Sequence, residues 1–279
     1  MEKITQKLFT DERALFQADG LELNGTIFEE GESPLKHSRD ITMSDTIFRG
    51  KYPLWYCKDI TMKNSSVFDT ARAGLWYADN VSITDSIIAA PKMIRRCKNV
   101  SLENVSFPGA AETIWECSDI KMKNVSVNGD YLCMNCSDIE IDGLDLTGKY
   151  CFDGVKNVHI TNSRMIGRDA FWNSENVTVE NSFISGAYIG WNSKKLTFIN
   201  CTIESLRGFC YIDDLVMKNC RLINTTLAFE YSTVDVEVTG SIDSVINPSG
   251  GIIRADSIGN LTMEAEKVDI SKTVIVTES

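Results

Sequence analysis

At 279 residues and 31.2 kDa the chain is long enough to bury a large core, in one domain or two. Its formal net charge of -11 and pI near 4.8 argue against nucleic acid and against anionic membrane surfaces, both of which want a basic stripe. Residues Met1 to Phe9 hold no apolar signal core, and no apolar run reaches the roughly 18 residues of a membrane span, which predicts a soluble, cytoplasmic protein.

Residues 1–12 precede the first clean repeat and are expected to pair with or cover its open edge as an N-terminal cap. Over 13–239 one pattern returns every 19 to 21 residues. It is plainest in Cys117-Ser118-Asp119-Ile120-Lys121-Met122-Lys123-Asn124, with relatives at Cys57 to Asn64, Cys97 to Asn104, Ser174 to Asn181 and Ile212 to Asn219. Let the first apolar residue of each copy be position 0. It falls at Leu21, Ile41, Ile60, Val81, Val100, Ile120, Ile139, Val158, Val177, Leu196 and Leu215, with less regular copies near Val236 and Leu261. A repeat this short, with alternating apolar positions, has no room for a helix pair. It fits one turn of a parallel β-helix, in which each residue stacks on its equivalent about 4.8 Å away.

Columns of equivalent residues separate inside from outside, because a buried column tolerates no charge. Position +2 runs Leu23, Met43, Met62, Ile83, Leu102, Met122, Ile141, Ile160, Val179, Phe198 and Met217, and faces in. Position +7, from Phe48 to Leu222, and position -6, from Leu15 to Phe209, give two more uncharged columns. Position +4 holds only Asn, Asp and Gly, among them Asn64, Asn104, Asn124, Asn162, Asn181, Asn200 and Asn219. These residues accept a left-handed backbone, so the chain turns there and the amides form an asparagine ladder. The expectation is an all-β fold: a single-domain, right-handed parallel β-helix of 12–13 turns, three strands to a turn. Over 240–279 the register slips at Gly250-Gly251 and a C-terminal cap follows.

The repeat, together with Tyr52-Pro53-Leu54-Trp55-Tyr56-Cys57, Arg72-Ala73-Gly74-Leu75-Trp76-Tyr77 and Leu227-Ala228-Phe229-Glu230-Tyr231-Ser232, resembles a bacterial domain-of-unknown-function family of right-handed parallel β-helix proteins. That resemblance covers almost the whole chain. It implies a pectate-lyase-like architecture and a bacterial origin, and brings no activity with it. Some members are called hydrogenases, but nickel–iron chemistry wants two C-x-x-C pairs and only Cys133/Cys136 is present.

Four of the nine cysteines, Cys57, Cys97, Cys117 and Cys136, share position -3 with Ala78, Val155 and Ile212, which reads as a small buried hydrophobe. The lone C-x-x-C has no second pair or His at ligand spacing, so neither metal nor cofactor is expected.

Position -5 is different. It runs Phe16, Lys36, Trp55, Trp76, Arg95, Trp115, Met134, Asp153, Trp172, Trp191, Cys210 and Tyr231, and holds all five tryptophans. The charges in it place the column outside. Lys36, Trp55, Trp76, Arg95, Trp115, Trp172 and Trp191 are candidate ligand contacts, since aromatic faces stack on sugar rings and interleaved cations orient polar groups. A homodimer or partner-protein interface, and a covering loop, are the competing readings. Lys92–Glu112 and Arg96–Glu116 are expected as cross-turn ion pairs. Asp153, flanked in its column by Met134 and Trp172, is the candidate acid/base, with Asp169 and Glu112 nearest to complete a carboxylate pair for glycan hydrolysis or lysis. The two readings left standing are an oligosaccharide or other small-molecule binder, with or without bond cleavage, and a non-enzymatic scaffold.

Overall fold

The computed structural model describes residues 2–278. The chain divides into two compact units, Met1–Leu146 and Thr147–Ser279, and each is a right-handed parallel β-helix. In the first unit the strands through position 0 are Glu2–Thr5, Asp19–Asn24, Arg39–Ser44, Lys58–Lys63, Asp79–Thr84, Lys98–Glu103, Ser118–Asn128 and Ser137–Thr147. Pairing keeps the columns in step, with Leu21 beside Ile41 and then Ile60, Val81, Val100 and Ile120. In the second unit the equivalent strands are Lys156–Thr161, Glu175–Glu180, Lys194–Ile199, Asp213–Thr226, Thr233–Ile246, Gly250–Thr262 and Thr273–Thr277.

The ends extend the repeat beyond the regular copies. Glu2–Thr5 is itself a rung, with Glu2 against Leu21 and Ile4 against Leu23. Beyond Leu215 the register expected from sequence is corrected. The position-0 residues are Val234 and Gly251, not Val236 and Leu261, and Thr273 adds a further rung. Leu215 to Val234 keeps a step of 19 residues, but Val234 to Gly251 takes 17 and Gly251 to Thr273 takes 22, so a fixed spacing fails beyond Val234. Register shifts between Met217 and Cys220 and between Val238 and Ser241 accompany the change. Tyr231 accordingly lies beside Tyr211, its backbone N–H bonded to Asn247 O and Tyr211 N–H to Glu230 O.

The three apolar columns are inside. Leu23, Met43, Met62, Phe48, Phe107, Leu54, Leu75, Phe152 and Phe171 are all sealed from solvent. Identical rungs let rings stack: Phe9, Phe28 and Phe48 lie 5.0 and 4.9 Å apart, nearly parallel. All nine cysteines are buried. They do more than fill space. Cys117 Sγ receives the Cys97 N–H at 3.4 Å and donates to Trp115 O at 3.2 Å, the arrangement Ser193 makes with Ser174 N–H in the second unit. Sulfur thus replaces hydroxyl at a bend where a backbone donor needs a partner.

Among the described residues the third side of the turn is extended at Leu75–Trp76 and Ile94–Arg95, with Trp115 bridged to Arg95. Left-handed residues at positions -8 and -4 bound it: Tyr52 57°, Tyr56 57°, Ala73 54°, Tyr77 58°, Tyr188 59° and Asn192 56°. At Ile114 59°, Cys133 59°, Phe152 62° and Phe171 61° position -6 is left-handed as well, which breaks a strand that the apolar column alone would support.

Candidate functional site

Position -5 lies between the left-handed corners at -8 and -4, so its side chains leave the barrel on the outer surface, each above the last, except Cys210, which the column pattern placed outside and which is buried. In the first unit this makes a closed stack. Lys36 Nζ sits 5.6 Å from the Trp55 ring. Trp55 and Trp76 are 5.1 Å apart with planes 8° from parallel. Arg95 lies between Trp76 and Trp115, its guanidinium 5.2 and 4.3 Å from the two rings. The cation–π contacts expected for Lys36 and Arg95 are present. Rings stacked at one-rung spacing leave no gap for a sugar ring between Trp55 and Trp76.

The indole N–H groups are also committed. Trp55 donates to Ala73 O at 2.5 Å, Trp76 to Lys92 O at 2.8 Å and Trp115 to Tyr131 O at 2.7 Å. Each acceptor is the left-handed position -8 residue of the following turn, with φ of 54°, 55° and 62°. Arg95 reaches the same column, at Glu112 O and, at 2.6 Å, Glu112 Oε2. The stripe therefore fastens each corner to the turn beneath it. Beside it, position -4 carries a second stack, His37, Tyr56 and Tyr77, at 4.9 and 4.8 Å.

The second unit is less tightly closed. Trp172 and Trp191 are 6.1 Å apart and tilted by 35°, and Trp191 meets Tyr211 at 49°. Trp172 still donates to Tyr188 O at 2.8 Å. Among the described residues, no hydrogen bond is recorded for the Trp191 indole N–H. Its neighbour Gly190, at φ +76°, takes the column position of Phe171 and Phe209, where a Cβ would stand 2.8 Å from Leu196 Cδ1. Tyr188 meets Trp191 edge-on at 6.1 Å.

The three candidate carboxylates have separate partners. Glu112, in the first unit, pairs with Lys92 at 3.2 Å and Arg95 at 2.6 Å. Burial pushes its carboxyl up, but hydrogen bonds from Lys92 and Arg95 together outweigh burial and hold it below the usual glutamate range. Arg96–Glu116 forms as expected, at 2.6 Å. In the second unit, Asp153 is half-buried and accepts from Asn173 Nδ2 at 2.9 Å, a polar neighbour the column pattern did not show. Asp169 is sealed from solvent and pairs with Arg168 Nε at 2.6 Å. No ion pair or hydrogen bond joins Asp153 to Asp169 among the described residues. Nor do the described residues hold a group of three or more His, Cys, Asp or Glu placed to bind a metal ion.

Sequence reasoning missed the tyrosines. Tyr56 and Tyr77 at position -4 and Tyr150 and Tyr188 at position -8 flank the tryptophans. The signal was there as aromatics recurring on either side of the tryptophan column, but large residues at positive φ do not announce a corner as Asn and Gly do.

The fold and its outer aromatic column define a parallel β-helix protein. The chain belongs to the family described as "Protein of unknown function (DUF3737)", which matches residues 2–276. No curated protein matches it. Among solved structures it is similar to PfbA, a surface adhesin of Streptococcus pneumoniae, at 11% identity over 93% of this chain and 81% of that one, with a TM-score of 0.44. It is also similar to the A-module of the Azotobacter vinelandii mannuronan C-5 epimerase AlgE6, at 9% identity over 94% and 89%, with a TM-score of 0.44. DFA-IIIase from Arthrobacter chlorophenolicus A6, without its lid, gives 9% identity over 99% and 88%, with a TM-score of 0.40.

Proposed function

We propose that this protein binds a glycan-like, polyhydroxylated ligand along the outer aromatic column of its second unit, without cleaving it. The observation that carries this reading is the splayed group Trp172, Trp191 and Tyr211, whose rings tilt by 35° and 49°, beside an indole N–H on Trp191 that has no partner among the described residues. A tilted aromatic face next to a spare donor is what a sugar ring uses. The closed stack of the first unit serves as a clamp. Binding is favoured over hydrolysis because cleavage needs two carboxylates poised across one bond. Here Glu112 is held ionised by two cations, and Asp153 and Asp169 each have their own partner.

Isothermal titration with a panel of neutral and uronate oligosaccharides tests this, alongside an assay for new reducing ends. Saturable binding without turnover is expected; no binding by any member at millimolar concentration sinks the reading. A scaffold remains the alternative on one observation: Phe16, Tyr56 and Tyr77 are 37%, 44% and 36% exposed in the first unit, an apolar strip of the kind that joins subunits. Light scattering on the same samples separates the two. A dimer that Trp115→Ala disperses would move the stripe to an interface.

A further inference from the structure

Asp169 is completely buried, yet only half satisfied. Its Oδ2 takes Arg168 Nε at 2.6 Å, while its Oδ1 is buried with no hydrogen-bond partner. A buried carboxylate is costly unless its oxygens are bonded, so an open one calls for an explanation. The column supplies it. Tyr150, Asp169 and Tyr188 follow one another at position -8, all left-handed, with φ of 55°, 63° and 59°. A short acid therefore stands between two long phenols, two rungs apart. Trp172 closes one side, edge-on to Tyr150 at 6.0 Å and bonded through its indole N–H to Tyr188 O.

What fills this slot is the chain's own guanidinium. Arg168 Cζ lies 5.8 Å from the Tyr188 ring, and its side chain is 52% exposed. The hydrogen bond to Asp169, then its charge, raises the Arg168 pKa. Arg168 approaches through Nε and meets one carboxylate oxygen, whereas a free guanidinium presents parallel N–H donors that can reach both.

We propose that Asp169 is the floor of an organic-cation site, walled by Tyr150, Tyr188 and Trp172, which Arg168 fills from within and which accepts the guanidinium or ammonium group of a ligand when Arg168 turns to solvent. A single carboxylate among aromatic rings suits a delocalised cation. A divalent metal would want several oxygen ligands, which the described residues do not gather here. The inference rests on Asp169 and does not depend on the glycan reading.

The test removes the internal occupant. Arg168→Ala and Arg168→Gln are titrated with methylguanidinium chloride by calorimetry and thermal melting, against sodium chloride at matched ionic strength. Without the competitor, each variant should bind at least about tenfold more tightly than wild type, with a saturable rise in Tm, and adding Asp169→Asn should abolish the response. A variant that gains its native circular dichroism only with methylguanidinium present supports the site equally. No saturable binding, binding that survives Asp169→Asn, a variant that stays unfolded with the probe, or a response to calcium chloride in place of methylguanidinium overturns it.

Discussion

Trp115 shows how one side chain can hold a turn in place. Its ring covers Arg95, and its N–H meets Tyr131 O at 2.7 Å. Trp115→Phe keeps a ring in the column and loses that donor, leaving the Tyr131 carbonyl short of a partner. The expected cost is about 1 kcal/mol from the hydrogen bond, read as a lower urea midpoint. Trp191→Phe loses no hydrogen bond among the described residues and should cost less; equal losses would mean that ring size, not the indole N–H, is what matters. Glu112 gives a pH signature. Its pKa is lower folded than unfolded, so its stabilisation is complete above the unfolded value of about 4.3 and is lost as pH falls through the lower folded value. The stability gap between wild type and Glu112→Gln should therefore be open at neutral pH and closed in acid, where both carboxyl and amide are neutral. A gap that persists in strong acid would put the effect elsewhere.

At the scale of the turn, asparagine does two things at one position. Asn181 sits at φ 50° and its Oδ1 receives Asn200 Nδ2 at 3.1 Å. Asn181→Ala loses the ladder bond and forces a Cβ that dislikes the left-handed region, together about 2 kcal/mol. Asn181→Gly keeps the conformation and should cost about half as much. Urea midpoints for the pair check this, and an alanine variant no worse than glycine would show that backbone conformation contributes nothing. The same chemistry recurs at position -1, where Asn80 bonds Asp59 at 2.7 Å and Asn99 bonds Asn80 at 2.8 Å. This second ladder was as legible as the first, since Asp40, Asp59, Asn80, Asn99, Asp119, Asp138, Asn157 and Asn176 share the column. The corners at -8 and -4 were not. Tyr, Lys, Glu and Arg occupy them, and only the backbone hydrogen bonds of neighbouring rungs reveal why such residues tolerate positive φ.

For the molecule as a whole, period and column composition were enough to name the fold, because a solenoid repeats its local rules and each charge-free column reports a buried face. They failed where the step changed, to 17 residues from Val234 to Gly251 and then 22 to Thr273. The site was only partly legible. Position -5 gave the tryptophans and their exposure, but whether stacked rings lie flat or splay is set by ring orientation, which no column records. Asp169 was legible only as a candidate to complete a carboxylate pair with Asp153; its burial beside Arg168 is something no column records. The division of the stripe into a clamp and a ligand surface is best tested by a tryptophan-fluorescence titration of wild type, Trp76→Ala and Trp191→Ala with the tightest-binding oligosaccharide. Wild type and Trp76→Ala should both respond, while Trp191→Ala should be silent with its mass unchanged. An unaltered response from Trp191→Ala, or a response lost only in Trp76→Ala, would contradict the account.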